Sequence, residues 1–364
     1  MQTELLPLLV CCVRFRLHSE ISVPSRCMNE IEIELVNDLL SERKKIVIIP
    51  HRSPDGDAMG STLALYHFLK KMQQEPIVIS PNEFPHFLEW LPGSEHVLVY
   101  EKDREKTTEI LQAADIIFVL DFNALHRTGE MEQVLSKLTS PFVMIDHHQT
   151  PDNFAAVTFS DTTASSTCEM VYRFISYLGK EELIDKEIAT CIYTGLVTDT
   201  GSFRFQSTTA ATHRVAARLI EHGVDNGVVH GNLFDNNSYD SLQLLGKALQ
   251  NMRVLPEFNA SYIALTQEEL DSHNYVKGDT EGIVNYGLSV KGVIFTAIFI
   301  EHKEENIIKI SLRSKGNFDV NRLAREYFNG GGHINAAGGK SHLTMEETIA
   351  RFISVLQSIK QHEN

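Results

Sequence analysis

The sequence predicts an α/β fold, with an N-terminal module on a mostly parallel sheet and a smaller α+β module after it. Three observations carry that expectation. Short apolar runs, mostly β-branched, recur from residue 46 to residue 145, separated by longer stretches with apolar residues at helical spacing. Beyond about residue 250 the pattern changes, and strand-like runs follow one another before a terminal helix. The 364 residues, 43% hydrophobic and 22% charged, suit a folded chain of about two domains.

Taken in order, residues 1–27 are expected to be an extension ahead of the folded part. Residues 5–10 are apolar, but Glu4 precedes them and no Lys or Arg does. Val10 before Cys11 is not the small residue of a lipoprotein cleavage site. After Met28, the apolar residues of 29–40 fall on one helix face. Buried strands are expected at 46–49, 77–79, 116–120 and 142–145. A helix is expected over 58–72, with Lys70 and Lys71 near its end and Pro76 beyond. Further helices are expected at 165–178, 185–197 and 209–222, the last closed by Gly223. Residues 226–250 contain no strand-like run and are expected to connect modules at 28–225 and 251–364. The second module should hold strands at 261–266, 293–300 and 307–312 and a helix at 344–360.

Charge narrows the function. With 48 acidic and 33 basic residues the chain carries −15, which repels a long duplex, because such binding relies on Lys and Arg neutralising phosphates. A small anionic substrate stays compatible if metal ions supply positive charge locally. The five cysteines, Cys11, Cys12, Cys27, Cys168 and Cys191, include no C-x-x-C pair and suit neither a disulfide framework nor a structural zinc site. A reducing, cytoplasmic compartment is expected. No apolar run approaches the ~20 residues that span a bilayer, so no membrane partner is expected.

The polar residues fall at the ends of the expected strands. The first strand runs into Pro50-His51-Arg52-Ser53-Pro54-Asp55-Gly56-Asp57, the third into Asp121, and the fourth into Asp146-His147-His148. Open α/β sheets bind ligands outside the carboxyl ends of their strands, so these side chains should share one rim. A helix ending in Asp199-Thr200-Gly201 offers another carboxylate. Asp55-Gly56-Asp57 alone reads as a turn or helix N-cap, and Asp121 or Asp199 alone as a cap. Their coincidence at element ends points instead to metal, since so many carboxylates without matching cations repel one another. Imidazole and carboxylate without thiolate favour manganese, magnesium, iron or zinc, and the number of donors favours two ions, with Asp121 between them. In the second module, Arg313 stands at a strand end, and Gly330-Gly331-Gly332-His333 forms an expected loop whose backbone N–H groups can approach a phosphate.

In that order, His51-x-x-x-Asp55-x-Asp57, Asp121, Asp146-His147-His148, Asp199-Thr200-Gly201 and Gly330-Gly331-Gly332-His333 resemble the DHH phosphoesterase superfamily with a DHHA1 C-terminal domain. The layout is similar to that of the bacterial oligoribonucleases that also act as pAp phosphatases. The resemblance implies a catalytic cleft between a DHH domain and a DHHA1 domain. It also implies two divalent ions, Mn2+ foremost and Mg2+ as the alternative. One ion would be held by His51, Asp55 and Asp121, the other by Asp57, Asp121, His147 and Asp199. Asp146 would orient its neighbours. His148, Arg313, His333 and the backbone of Gly330, Gly331 and Gly332 would bind the substrate. Short RNA oligonucleotides and pAp are the implied substrates, and a homodimer is left open. Ser53 stands where the family often has Asn, at a position that is not a metal ligand. The rival readings are a cyclic or linear dinucleotide phosphodiesterase, a processive exonuclease, an inorganic pyrophosphatase and a non-catalytic nucleotide-binding regulator.

Overall fold

The computed structural model describes residues 30–363, so the expected extension and Cys11, Cys12 and Cys27 lie outside the described residues. The chain begins with a helix, Glu30–Leu39, and enters a six-stranded sheet. Its strands are β1 (Lys45–Ile49), β2 (Glu75–Ser80), β3 (Leu98–Val99), β4 (Ile116–Leu120), β5 (Phe142–Asp146) and β6 (Val157–Ser160). They lie in the order β3-β2-β1-β4-β5-β6 with every pair parallel. The order reverses between β1 and β4, and such a reversal opens a crevice at the carboxyl ends of the two strands.

The central strands are apolar at 46–49, 116–120 and 142–145 because both faces are covered, and every residue of β4 and β5 is buried. Helices Gly56–Lys71, Thr167–Tyr177 and Lys186–Asp199 close one face around Leu63, Phe68, Phe174, Ile192 and Leu196. Leu111, Phe122, Met131 and Leu135 close the other. All three helices meet through glycine. A Cβ on Gly60 would stand 2.5 Å from the Cys191 carbonyl oxygen, and one on Gly195 would stand 2.2 Å from Cys168 Sγ. That approach brings the end of Lys186–Asp199 to the start of Gly56–Lys71.

Helices Ala210–Glu221, Asn226–Phe234 and Tyr239–Asn251 lead to a second six-stranded sheet. Its strands are β7 (Arg253–Leu255), β8 (Ala260–Leu265), β9 (Phe295–His302), β10 (Ile307–Ser314), β11 (Gly331–Gly332) and β12 (Ala336–Ser341), in the order β11-β12-β10-β9-β8-β7. All its pairs are antiparallel except β8 with β9. Phe295, Phe299, Leu312, Phe328 and Phe352 form the core beneath helices Val320–Tyr327 and Met345–Glu363.

One expectation needs correcting. The glycine-rich stretch is not an open loop: β11 and β12 make a hairpin. A Cβ on Gly330 would stand 1.9 Å from the Gly338 carbonyl oxygen, so close strand pairing itself demands glycine there. Among the described residues no helix is long and apolar enough to cross a membrane.

Candidate metal centre and cleft

The β1 end delivers His51 and Asp55. His51 is buried, with Nδ1 2.9 Å from the Arg52 carbonyl oxygen, which places the proton on Nδ1 and a lone pair on Nε2. That Nε2 faces Asp121 Oδ2 at 3.4 Å. Asp55 is the N-cap of Gly56–Lys71, and its Oδ1 accepts from the backbone N–H groups of Asp57 and Ala58, each at 3.1 Å. Capping engages Oδ1, so a second role falls to Oδ2.

Asp57 follows inside the helix and is fully buried. The first N–H groups of another helix clamp it: Thr167 donates to Oδ2 at 2.6 Å and Cys168 to Oδ1 at 2.8 Å. Burial, and after it the field of Asp121, pushes the Asp57 carboxyl up to about 7.

Asp121 leaves β4 at φ +63°, in the left-handed region, where Asp is among the better tolerated residues at a cost on the order of 1–3 kcal/mol. Its Oδ1 accepts from Thr167 Oγ1 at 3.0 Å and lies 3.5 Å from His147 Nε2 and 3.6 Å from His148 Nδ1. Burial alone would raise its pKa, but His147 and His51 outweigh burial and hold it well below the usual carboxylate range.

His147 decides what the cluster is for. Its Nδ1 is 3.4 Å from the Ala164 carbonyl oxygen, which turns Nε2 toward Asp199 Oδ2 at 3.3 Å, Asp121 Oδ1 at 3.5 Å and Asp57 Oδ2 at 3.7 Å. Nε2 is buried and makes a hydrogen bond to none of them. A buried nitrogen among three carboxylate oxygens without a hydrogen bond is a donor arrangement that could hold a cation. His147 takes a proton readily here: burial opposes it, yet attraction to Asp121, Asp199 and Asp57 lifts its pKa well above the ordinary value. The donor atoms of Asp57, Asp121 and His147 lie within 4.8 Å of one another, as do those of His51, Asp55 and Asp121. Asp121 belongs to both groups, and Asp199 joins through His147. The donor set therefore fits two hard divalent ions sharing one carboxylate.

Asp146, at the β5 end, forms a further group with Asp121 and His148, their donor atoms also within 4.8 Å of one another. Its Oδ1 accepts from His148 Nδ1 at 2.8 Å, which fixes that ring, while His147 is oriented by the Ala164 carbonyl. Buried Asp146 Oδ2 has no hydrogen-bond partner among the described residues.

The second module meets this centre directly. His333 stacks on His148 with ring centroids 4.1 Å apart and planes at 25°, and lies 4.6 Å from His147. Burial, then the two neighbouring imidazoles, holds the His333 pKa well below the ordinary value, so it is neutral. Arg313, half-buried on β10, donates to the carbonyl of Leu312 at 3.0 Å and has no ion-pair partner among the described residues. Burial lowers its pKa, while Asp199, Asp55 and Glu281 act the other way through space. An unpaired guanidinium within the field of Asp199 and Asp55 suits an anion lying between the modules. Gly330, Gly331 and Gly332 lead into His333; Gly331 and Gly332 pair with β12, while the Gly330 N–H donates to the Ala324 carbonyl oxygen at 3.1 Å and the Gly332 N–H to Asn321 Oδ1 at 2.9 Å.

Sequence reasoning missed the clamp on Asp57. Thr167 and Cys168 reach it from 110 and 111 residues away, and no local motif announces it. The available signal was Ser166, an N-cap residue before an apolar helix, which accepts from the Glu169 N–H at 3.0 Å.

Residues 45–196 match the DHH family, N-terminal domain, and residues 259–361 match the DHHA1 domain. The chain is 32% identical over 319 residues to the bifunctional oligoribonuclease and PAP phosphatase NrnA of Thermus thermophilus, covering 87% of this chain and 89% of that one. The protein of the same name from Bacillus subtilis is 29% identical over 322 residues, 87% of this chain and 96% of its own. The crystal structure of an exopolyphosphatase-related protein from Bacteroides fragilis superposes with a TM-score of 0.88 at 42% identity, over 93% of this chain and 99% of that one. With Asp and His residues gathered at the strand ends and these matches together, the chain belongs to the DHH phosphoesterase family and carries a DHH domain followed by a DHHA1 domain.

Proposed function

We propose that the protein is a two-metal phosphoesterase that hydrolyses short oligoribonucleotides to mononucleotides and removes the 3′-phosphate of pAp (3′-phosphoadenosine 5′-phosphate). The observation that carries this reading is the meeting of a carboxylate–imidazole cluster, centred on His147 Nε2, with His333 and an unpaired Arg313 from the other module. His51, Asp55 and Asp121 would hold one ion, and Asp57, Asp121, His147 and Asp199 the other, with Mn2+ suited to such mixed donors. Bound there, the ions lower the pKa of a water and neutralise charge that develops on the phosphoryl oxygens.

The remaining work falls to the chain. Asp146 keeps a proton on His148 Nδ1 and so aligns the ring for a phosphoryl oxygen. Neutral His333, stacked on His148, adds a second polar edge, and Arg313 offers its planar fork to the phosphate. The names of the Thermus and Bacillus relatives support the substrate class.

The test is Mn2+-dependent product release from a 5′-labelled RNA dinucleotide, an RNA of about 24 nucleotides, pAp and cyclic di-AMP, lengths that separate a short cleft from a tract-binding groove. Turnover of the dinucleotide and pAp, with the long RNA and the cyclic substrate poor, is the expected result. Preference for cyclic di-AMP would move the protein to second-messenger turnover at the same centre. No turnover of any substrate with metal bound would leave a nucleotide-binding regulator.

A further inference from the structure

The cleft-facing side of the second sheet carries a group of cations that the metal centre does not use. Along β10, Ile308, Ile310, Leu312 and Ser314 are buried, Lys309 is exposed, and Ser311 and Arg313 are half-buried. Side chains alternate along a strand, so Lys309, Ser311 and Arg313 share one face. That face looks toward the metal centre: β12, paired with β10, follows His333, which stacks on His148, and Asp199 and Asp55 act on Arg313 through space. Directly opposite on β12 stand Lys340, Gly338 and Ala336.

Lys309 and Lys340 therefore sit side by side, with Cβ atoms about 4.5–5.5 Å apart, an arrangement that destabilises a sheet when the charges are alike. Neither ammonium group has an ion-pair partner among the described residues, in a chain with 48 acidic and 33 basic residues. A third cation, Lys277, spans the cleft to donate to the Glu83 carbonyl oxygen at 2.6 Å and lies within the field of Lys309. Glu281 feels Lys309, Arg313 and Lys277 without pairing with any of them. Between Arg313 and Lys309 the surface is low. Ser311 faces Gly338, where a Cβ would meet only the Ile310 carbonyl oxygen, at 3.7 Å.

From Arg313 to Lys309 the strand advances four residues, about 13 Å, or two same-face steps of about 6.7 Å. An extended single strand repeats its phosphates over a comparable step. We propose that Lys309 and Lys340, with Lys277, form a second phosphate station, taking a backbone phosphate about two nucleotides from the one held at Arg313 and His333. The intervening sugars and base lie over Ser311 and Gly338. The inference rests on the oligonucleotide reading above and gives it a length dependence: a dinucleotide, with its single phosphodiester, ends before the station, and a tetranucleotide reaches it.

The test is equilibrium binding of unphosphorylated oligoriboadenylates of two to five residues in EDTA, where turnover does not interfere. The whole chain is compared with its Lys309→Ala/Lys340→Ala variant. Wild-type affinity should rise about tenfold from two residues to four, and the variant should lose that rise while binding the dinucleotide as before. At four residues the slope of log affinity against log salt should shrink by about 0.7 in the variant, one backbone phosphate fewer being neutralised. Both lysines are exposed and mutually repelling, so the variant should melt no lower than wild type. A rise retained by the variant, an equal loss at both lengths, or no rise in wild type would each overturn the proposal. Mn2+-dependent turnover of the dinucleotide by both proteins, measured in parallel, reports on the activity itself and separates its failure from that of the station.

Discussion

Because one oxygen of Asp121 meets His51 and the other meets His147, His148 and Thr167, its loss uncouples both donor groups at once. Asp121→Ala should abolish turnover and weaken Mn2+ binding more than about 100-fold, as isothermal titration would show. Asp121→Gly should do the same while keeping the φ of +63° without strain, so a folded variant that still binds metal would refute the bridging role. The same side chains set a pH dependence. Burial, then Asp121, lifts Asp57 from 3.8 to about 7, and burial, then Asp57, lifts Asp199. His51 and His147 are lifted from 6.5 against the effect of burial, chiefly by Asp121. All four bind protons more readily folded than unfolded. Their contribution is full below the unfolded pKa values and is lost as pH rises through the folded ones, for Asp57 by about 7. Asp121 runs the other way, its contribution lost only in acid. The metal-free protein should therefore lose stability from pH 6 to pH 8. Divalent ions compete with these protons, so Mn2+ should raise Tm more at pH 8 than at pH 6. Thermal melts with Mn2+ and with EDTA at the two pH values decide it, and an equal shift at both would count against the site.

At the scale of elements, the centre depends on how closely two helices pack. On Gly195 a Cβ would stand 2.2 Å from Cys168 Sγ and 2.6 Å from Asp57 Oδ1, so Gly195→Ala must push Lys186–Asp199 away from Asp57. It should cost about 1–3 kcal/mol in urea unfolding and also weaken metal binding. Gly246→Ala, in a helix where nothing lies within 4 Å, should instead stabilise by about 0.5–1 kcal/mol and leave metal binding alone. A Gly195→Ala variant as stable and as metal-replete as wild type would show that the helix contact does not position Asp199. These contrasts also explain what was legible in the sequence. β1, β4 and β5 are buried on both faces and read as unbroken apolar runs. Two-residue β3 and alternating β6 are the edge strands, and the polar helix Arg104–Gln112 buries only Thr107 and Leu111, so none of them left such a run. The strand-end Asp and His residues were visible because a strand end fixes where they emerge. The clamp on Asp57 and the facing of Lys309 by Lys340 were not, because helix placement and strand register exist only after folding.

Across the whole molecule the charges are divided between modules. His51, Asp55, Asp57, Asp121, Asp146, His147 and Asp199 come from the first sheet and its helices, and Arg313, His333, Lys309 and Lys340 from the second. On the proposed function, a phosphate in the cleft would complete two half-sites, metal on one side and cations on the other. Arg313→Ala separates their roles. Arg313 has no ion pair to break among the described residues, so its loss should leave the carboxylate cluster as it was, and bound Mn2+ should remain nearly stoichiometric by elemental analysis. The phosphate loses one charged hydrogen-bonding partner, about 1.5–3 kcal/mol, so KM for pAp and for the dinucleotide should rise about 10- to 150-fold. Arg313→Lys should recover only part of this, because a point charge replaces a planar fork. Loss of metal from Arg313→Ala would mean that the second module helps to build the metal centre, and an unchanged KM would mean that the phosphate never reaches β10.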